Sequence, residues 1–96
     1  MADNPAAGMW KVRTRAEAER DLDLLPDAVR SEALDAIEDL AEDPLPTDSI
    51  PLRGYTHRYR IKFYSNRYRI IYDVLEKQRA IRIFRVRPRK DAYRGL

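Results

Sequence analysis

At 96 residues the chain has room for one core, and its 44% apolar residues are enough to build it. The absence of cysteine excludes a disulfide framework and thiolate chemistry, and a single histidine, His57, argues against a zinc site made by protein ligands alone. No apolar run approaches the roughly 20 residues that a membrane-spanning helix needs and no secretory pattern opens the chain, so a cytoplasmic protein is expected.

The net charge of +3 hides a division. Residues 1 to 48 hold five Lys/Arg against thirteen Asp/Glu, and residues 49 to 96 hold fourteen against three. A molecule with one anion-seeking side is implied.

In chain order, residues 1–9 are a loose lead-in without periodicity, and residues 10–96 form a single domain. Trp10, Val12 and Thr14 alternate with Lys11, Arg13 and Arg15, which predicts a short first strand. From Ala16 to Leu25 the residues are helix formers, with Leu22 and Leu25 on one face and Thr14 as the candidate N-cap. Pro26 interrupts that helix and opens a second at its first turn, running to about Glu42. On it Val29, Ala33, Ala36, Ile37 and Leu40 make the buried stripe, while Arg30, Glu32, Asp35, Glu38, Asp39 and Glu42 face solvent. Two helices with so short a turn between them form an antiparallel hairpin. Pro44, Pro46 and Pro51 then mark an extended connection.

From Arg58 to Tyr93 a basic residue recurs at almost every second position. Tyr59, Ile61 and Phe63 alternate with Arg58, Arg60 and Lys62; Ser65 and Asn66 turn the chain; Tyr68, Ile70, Tyr72 and Val74 return, with Arg67 and Arg69 on the other face. Glu76 to Gln78 make a second turn. Ala80 to Val86 is apolar in both phases, the mark of a strand that is central or covered on both sides. The expected fold is α+β: strand, helix, helix and three antiparallel strands, a sheet of about four strands packed on a helical hairpin.

Glycine-rich phosphate loops, nucleophile elbows and paired Cys or His spacings are absent, and the basic half holds only Asp73, Glu76 and Asp91 as carboxylates. A two-metal nuclease or a glycosidase needs a carboxylate cluster near its substrate, so neither is supported and no cofactor is implied. What remains is a set of cations with one tyrosine: Arg60, Lys62, Arg69, Arg89 and Tyr93. Arg60 and Lys62 share a strand face, Arg69 lies across the hairpin, and Arg89 and Tyr93 follow the last strand. Arg58, Arg67, Arg85, Arg87 and Lys90 add cations for a nucleic-acid backbone. RNA can be cut without metal when a base deprotonates the 2′-OH, the oxygen attacks the adjacent phosphorus, cations meet the growing charge and an acid serves the leaving oxygen.

Leu52-Arg53-Gly54, Tyr59-Arg60-Ile61-Lys62, Tyr68-Arg69-Ile70-Ile71-Tyr72 and the run from Arg87 to Arg94 together resemble the RelE/ParE superfamily of bacterial toxins. The resemblance implies the toxin of a toxin–antitoxin pair, inactive while an antitoxin wraps it. Its RelE-like members enter the ribosomal A site and cleave the messenger RNA there. On that carry-over Arg60 and Arg69 bind the scissile phosphate, Arg89 serves the leaving oxygen, and Tyr93 stacks on a base or assists proton transfer. Arg60 stands where RelE has a lysine, and arginine keeps its proton throughout the accessible pH range. The role of base therefore passes to Lys62, with His57 as an outlying candidate. Little chain follows Tyr93, so no long C-terminal helix is expected. The alternative is a ParE-like inhibitor of DNA gyrase, which shares the fold and cleaves nothing.

Overall fold

The computed structural model describes residues 9–96; all of the expected lead-in over residues 1–9 except Met9 lies outside them. The chain runs β1 (Lys11–Thr14), α1 (Ala16–Asp23), α2 (Asp27–Glu42), β2 (Ile50–Pro51), β3 (Arg58–Phe63), β4 (Tyr68–Leu75) and β5 (Ala80–Pro88). The sheet has the order β1-β5-β4-β3-β2.

The α+β architecture and the helical hairpin are as the sequence implies, with three differences. The sheet has five strands rather than about four, because Ile50 and Pro51 pair briefly with Arg60 and Tyr59 before the connection leaves the edge. It is also mixed: β1 runs parallel to β5, with Lys11 opposite Ala80 and Thr14 opposite Ile83, while the other pairings are antiparallel. Third, Arg15 and not Thr14 precedes α1 as its cap residue, and Pro26 stands just before α2 rather than inside its first turn. Thr14 is still engaged in the sheet, whose ladder continues with the Arg15 amide donating to the Ile83 carbonyl at 3.1 Å.

Strand β5 is an interior strand, between β1 and β4. It carries a bulge. Ile71 lies opposite Arg85 and Tyr72 opposite Ile83, so Phe84 has no partner of its own. The extra residue shifts the alternation by one, and Ile81, Ile83 and Val86 can all enter the core. They pack with Ile61, Phe63, Ile70, Tyr72 and Val74 against Ala18, Leu25, Val29, Ala33, Ile37 and Leu40 of the helical layer. That uses one face of the sheet. The other carries the cations.

Tyr72 is wholly buried, and its hydroxyl donates to the Pro44 carbonyl at 2.7 Å, tying the connection after α2 to the sheet. Burial pushes its phenol well above the usual tyrosine range. A raised folded-state pKa means that stability is intact below the unfolded value of about 10 and is lost as pH rises beyond it. Denaturant unfolding between pH 8 and 11 should therefore show an alkaline loss of stability that Tyr72→Phe blunts. At neutral pH the same variant should cost about 1–3 kcal/mol, because the buried carbonyl loses its donor. An equally steep alkaline loss in both proteins would assign it elsewhere.

Candidate nucleic-acid face

The register of β3, β4 and β5 sets the cations in rows. Lys62 lies opposite Arg69, and Arg69 opposite Arg87. The next row is Arg60, Ile71 and Arg85, and the third is Arg58, Asp73 and Arg82. Directly opposed residues on one face stand about 4.5–5.5 Å apart, and successive rows about 7 Å. Beyond the first row, the Arg89 amide donates to the Arg67 carbonyl at 2.8 Å, which brings these two residues to the same end.

The rows differ in how their charge is met. In the third, buried Asp73 takes Arg58 through Nε at 2.7 Å and Nη2 at 3.2 Å, and Arg82 through Nε at 3.2 Å and Nη2 at 3.0 Å. Arg58 also lies 3.7 Å over the Phe84 ring and 4.6 Å over Tyr55, while Arg15 lies 3.9 Å over Phe84. In the second row Arg85 is bound by Asp21 of α1, Nε to Oδ2 at 2.8 Å and Nη2 to Oδ1 at 2.9 Å. That carboxylate holds the Arg85 guanidinium above its ordinary range.

The first row has no such partner. Among the described residues no carboxylate lies within ion-pair distance of Lys62, Arg69 or Arg87. Arg69 is only 6% exposed. Its Nη1 donates to the carbonyls of Asn66 at 3.0 Å and Tyr68 at 3.1 Å, and its Nε is buried without a partner. Arg60 in the neighbouring row has Nη1 in the same condition. Arg87 donates through Nη1 to the Arg94 carbonyl at 3.1 Å. Buried guanidinium donors left unpaired beside other cations are costly, and an oxyanion is the group that offsets the cost.

After β5 a short 3-10 turn over Arg89–Asp91 leads to Ala92, which is wholly buried, and the Arg94–Asp91 pair at 3.6 Å closes the tail. Arg89 and Lys90 line a depression of about 400 Å³ with Ser65, Asn66, Arg67 and Pro88, at the first-row end of the face. Tyr93 is about half exposed. The fold thus brings Lys62, Arg69 and Arg87 into direct register, sets Arg60 one row away, and places Arg67, Arg89 and Lys90 beside them. Arg58 and Arg85 sit on the same sheet but are already engaged by carboxylates.

His57 is exposed at the opposite end of β3, roughly 16 Å along the strand from Lys62. It lines a cavity of about 520 Å³ with Thr56, Tyr59, Val74, Leu75, Glu76, Lys77 and Gln78. This cavity lies away from the unpaired cations. Among the described residues no group of three or more His, Cys, Asp or Glu is placed to hold a metal ion.

Two groups that position these cations, the Asp21 carboxylate and the Asn66 carbonyl, were not singled out in the sequence. Asp21 carried a signal: it lies three residues after Ala18 and four before Leu25, in the apolar stripe of α1. The Asn66 carbonyl, which fixes Arg69, carried none.

A family model described as the ParE toxin of the type II toxin-antitoxin system parDE matches residues 12–93. Among solved structures, a chain of the archaeal RelE–RelB complex from Pyrococcus horikoshii OT3 is 29% identical with a TM-score of 0.73, over 88% of this chain and 99% of that one. A chain of the RelBE2 toxin–antitoxin complex from Mycobacterium tuberculosis is 27% identical, TM-score 0.71, over 84% and 99%. The isolated E. coli RelE toxin, at 23% identity and a TM-score of 0.74 over 90% and 87%, shares the fold. No curated protein matches the chain.

Proposed function

The chain belongs to the ParE toxin family of type II toxin–antitoxin systems, and from that premise we propose that it acts as a ribosome-dependent endonuclease of messenger RNA. The observation that carries this reading is the first row of cations, with the unpartnered Nε of Arg69 and the unpartnered Nη1 of Arg60 beside it. A phosphodiester supplies the anionic oxygens that this row of cations lacks.

In this mechanism Arg60 and Arg69 hold the non-bridging oxygens of the scissile phosphate and meet the charge that builds on them in the transition state. Lys62 takes the proton of the 2′-OH. The new bond from the 2′-oxygen to phosphorus forms as the bond to the 5′-oxygen breaks, leaving a cyclic phosphate. Arg89 meets the charge on the departing 5′-oxygen, and Tyr93 stacks on a base or delivers the proton. The residues carry each step without a metal. Arg67, Arg87 and Lys90 guide the flanking backbone; Arg58 and Arg85 contribute only if their carboxylates release them.

The site of action is the ribosome, hence the cytoplasm. A cognate antitoxin with an acidic, amphipathic segment wrapping the cationic face is the second partner, supported by the toxin–antitoxin complexes among the similar structures. A gyrase inhibitor remains the second reading, favoured by the ParE description of the matching family and by arginine at position 60.

Primer extension on a translated message after brief induction tests the choice. New 5′ ends inside codons, dependent on translation and reduced roughly tenfold or more in Arg89→Ala, are expected for loss of one transition-state cation. Intact messages during full growth arrest, with DNA-damage signalling first, would transfer the assignment to gyrase.

A further inference from the structure

The turn between β3 and β4 is built from Tyr64, Ser65 and Asn66 at φ of 54°, 54° and 68°. Three successive residues in the left-handed region, none of them glycine, form a backbone that must be held by its surroundings. Strand β2 gives no help, since it pairs only as far along β3 as Arg60. The support comes from α2. Oε2 of Glu32 accepts the Tyr64 amide at 2.7 Å. The Arg67 amide then returns to the Tyr64 carbonyl at 3.1 Å, and the Tyr64 ring meets Tyr68 edge-on at 6.0 Å.

What the turn presents is the Asn66 carbonyl, which takes Nη1 of Arg69 at 3.0 Å. With Nη1 shared between Asn66 and Tyr68, the guanidinium plane is fixed, and its Nε is buried without a partner. The same turn carries Arg67, whose carbonyl receives the Arg89 amide. The cation proposed for the scissile phosphate and the one proposed for the leaving oxygen are thus both tethered to one strained turn. Glu32 itself is exposed on the acidic outer face of α2, where sequence alone assigns it to solvent.

We propose that Glu32 is a positioning residue: by gripping the Tyr64 amide from α2 it holds the left-handed turn whose Asn66 carbonyl aims the Arg69 guanidinium. Its structural consequence stands alone, and its catalytic consequence rests on the endonuclease reading.

Three variants of the full chain test it: Glu32→Ala, Glu32→Gln, and Glu32→Ala combined with Ser65→Gly. Two readouts are taken, the single-turnover cleavage rate on message-programmed ribosomes at saturating protein and the Arg69 Nε–H resonance by nitrogen-15 NMR. In Glu32→Ala the rate should fall roughly ten- to hundredfold, the scale of a misplaced catalytic group, and the Arg69 signal should shift and exchange faster with solvent. Glu32→Gln keeps an oxygen for the Tyr64 amide and should stay close to wild type in both. Glycine at position 65 adopts the turn freely, so the double variant should regain most of the rate and the protected signal. An unchanged Arg69 resonance in Glu32→Ala, or a Gln variant as impaired as the Ala variant, overturns the proposal. If the wild-type chain cleaves no message, the endonuclease reading falls, and the NMR readout alone still decides for or against Glu32.

Discussion

Arg69→Lys is expected to lower message cleavage by roughly 10²–10³-fold, the loss that follows removal of one preorganised donor from a developing oxyanion. The charge is kept, so the effect isolates the fork. Nη1 of Arg69 is committed to two backbone carbonyls, and this fixes the guanidinium plane beside the other first-row cations. A lysine ammonium carries its three donors on one nitrogen at the end of a flexible stem and cannot reproduce the rigid planar fork. Its neighbours in register, Lys62 and Arg87, are cations, so no carboxylate rescues the misplaced charge. The comparison is Arg58→Lys, two rows away, where Asp73 already absorbs the charge; its cleavage rate should change far less. Single-turnover cleavage measured with a thermal melt separates chemistry from stability. A folded Arg69→Lys chain that cuts at the wild-type rate would remove the guanidinium from the mechanism, whereas equal growth arrest with no cleavage in either protein would favour gyrase.

The alternation of Arg58 to Phe63 and of Tyr68 to Leu75 was readable because a strand with one face in the core must repeat every second residue. The helical hairpin was readable too, since Pro26 permits only a break, and the stripe from Val29 to Leu40 fits one face. The parallel pairing of β1 with β5 was not, because four residues joined to a partner about 70 residues later leave no local signature. Nor was the bulge at Phe84, which shows in sequence only as an extra apolar residue. The candidate site divides along the same line. Rows of cations follow from strand period and hairpin length, so Lys62, Arg69 and the Arg60 next to them emerge from the sequence. Which of those cations are free depends on Asp21 and Asp73, and each choice is made by tertiary contacts. Asp21 is 64 residues from Arg85. Asp73 was noted only as one of few acids in the basic half, although its register places it between Arg58 and Arg82.

Asp21→Ala should be the most destabilising single change on the sheet side of α1. One carboxylate, with its side chain 10% exposed, satisfies three donors: both nitrogens of the Arg85 fork and the Val86 amide at 3.0 Å. It does so because β1 ends at Thr14, which leaves the edge of β5 from Arg85 onward without a neighbouring strand. The helix supplies by side chain what the missing strand would supply by backbone. Removing the carboxylate strands a partly buried guanidinium and a buried amide together, a loss of about 3–5 kcal/mol, which for a domain of this size lowers Tm by roughly 12 °C or more. Asp21→Asn should fall between, since its oxygen can still accept the Val86 amide while its NH2 opposes Arg85. Replacing the whole pair, Asp21→Leu with Arg85→Leu, removes the stranded charge and should recover part of the stability, with the Val86 amide still lacking its acceptor. That double variant also decides whether Arg85 touches RNA. A stable chain that still cleaves would confine Arg85 to holding α1 against the sheet; a stable chain that binds ribosomes and cleaves poorly would mean that Asp21 shares Arg85 with the message. Melting temperatures of all three variants within a few degrees of wild type would show that the open edge of β5 needs no partner, and the reading of Asp21 as a substitute strand would fail.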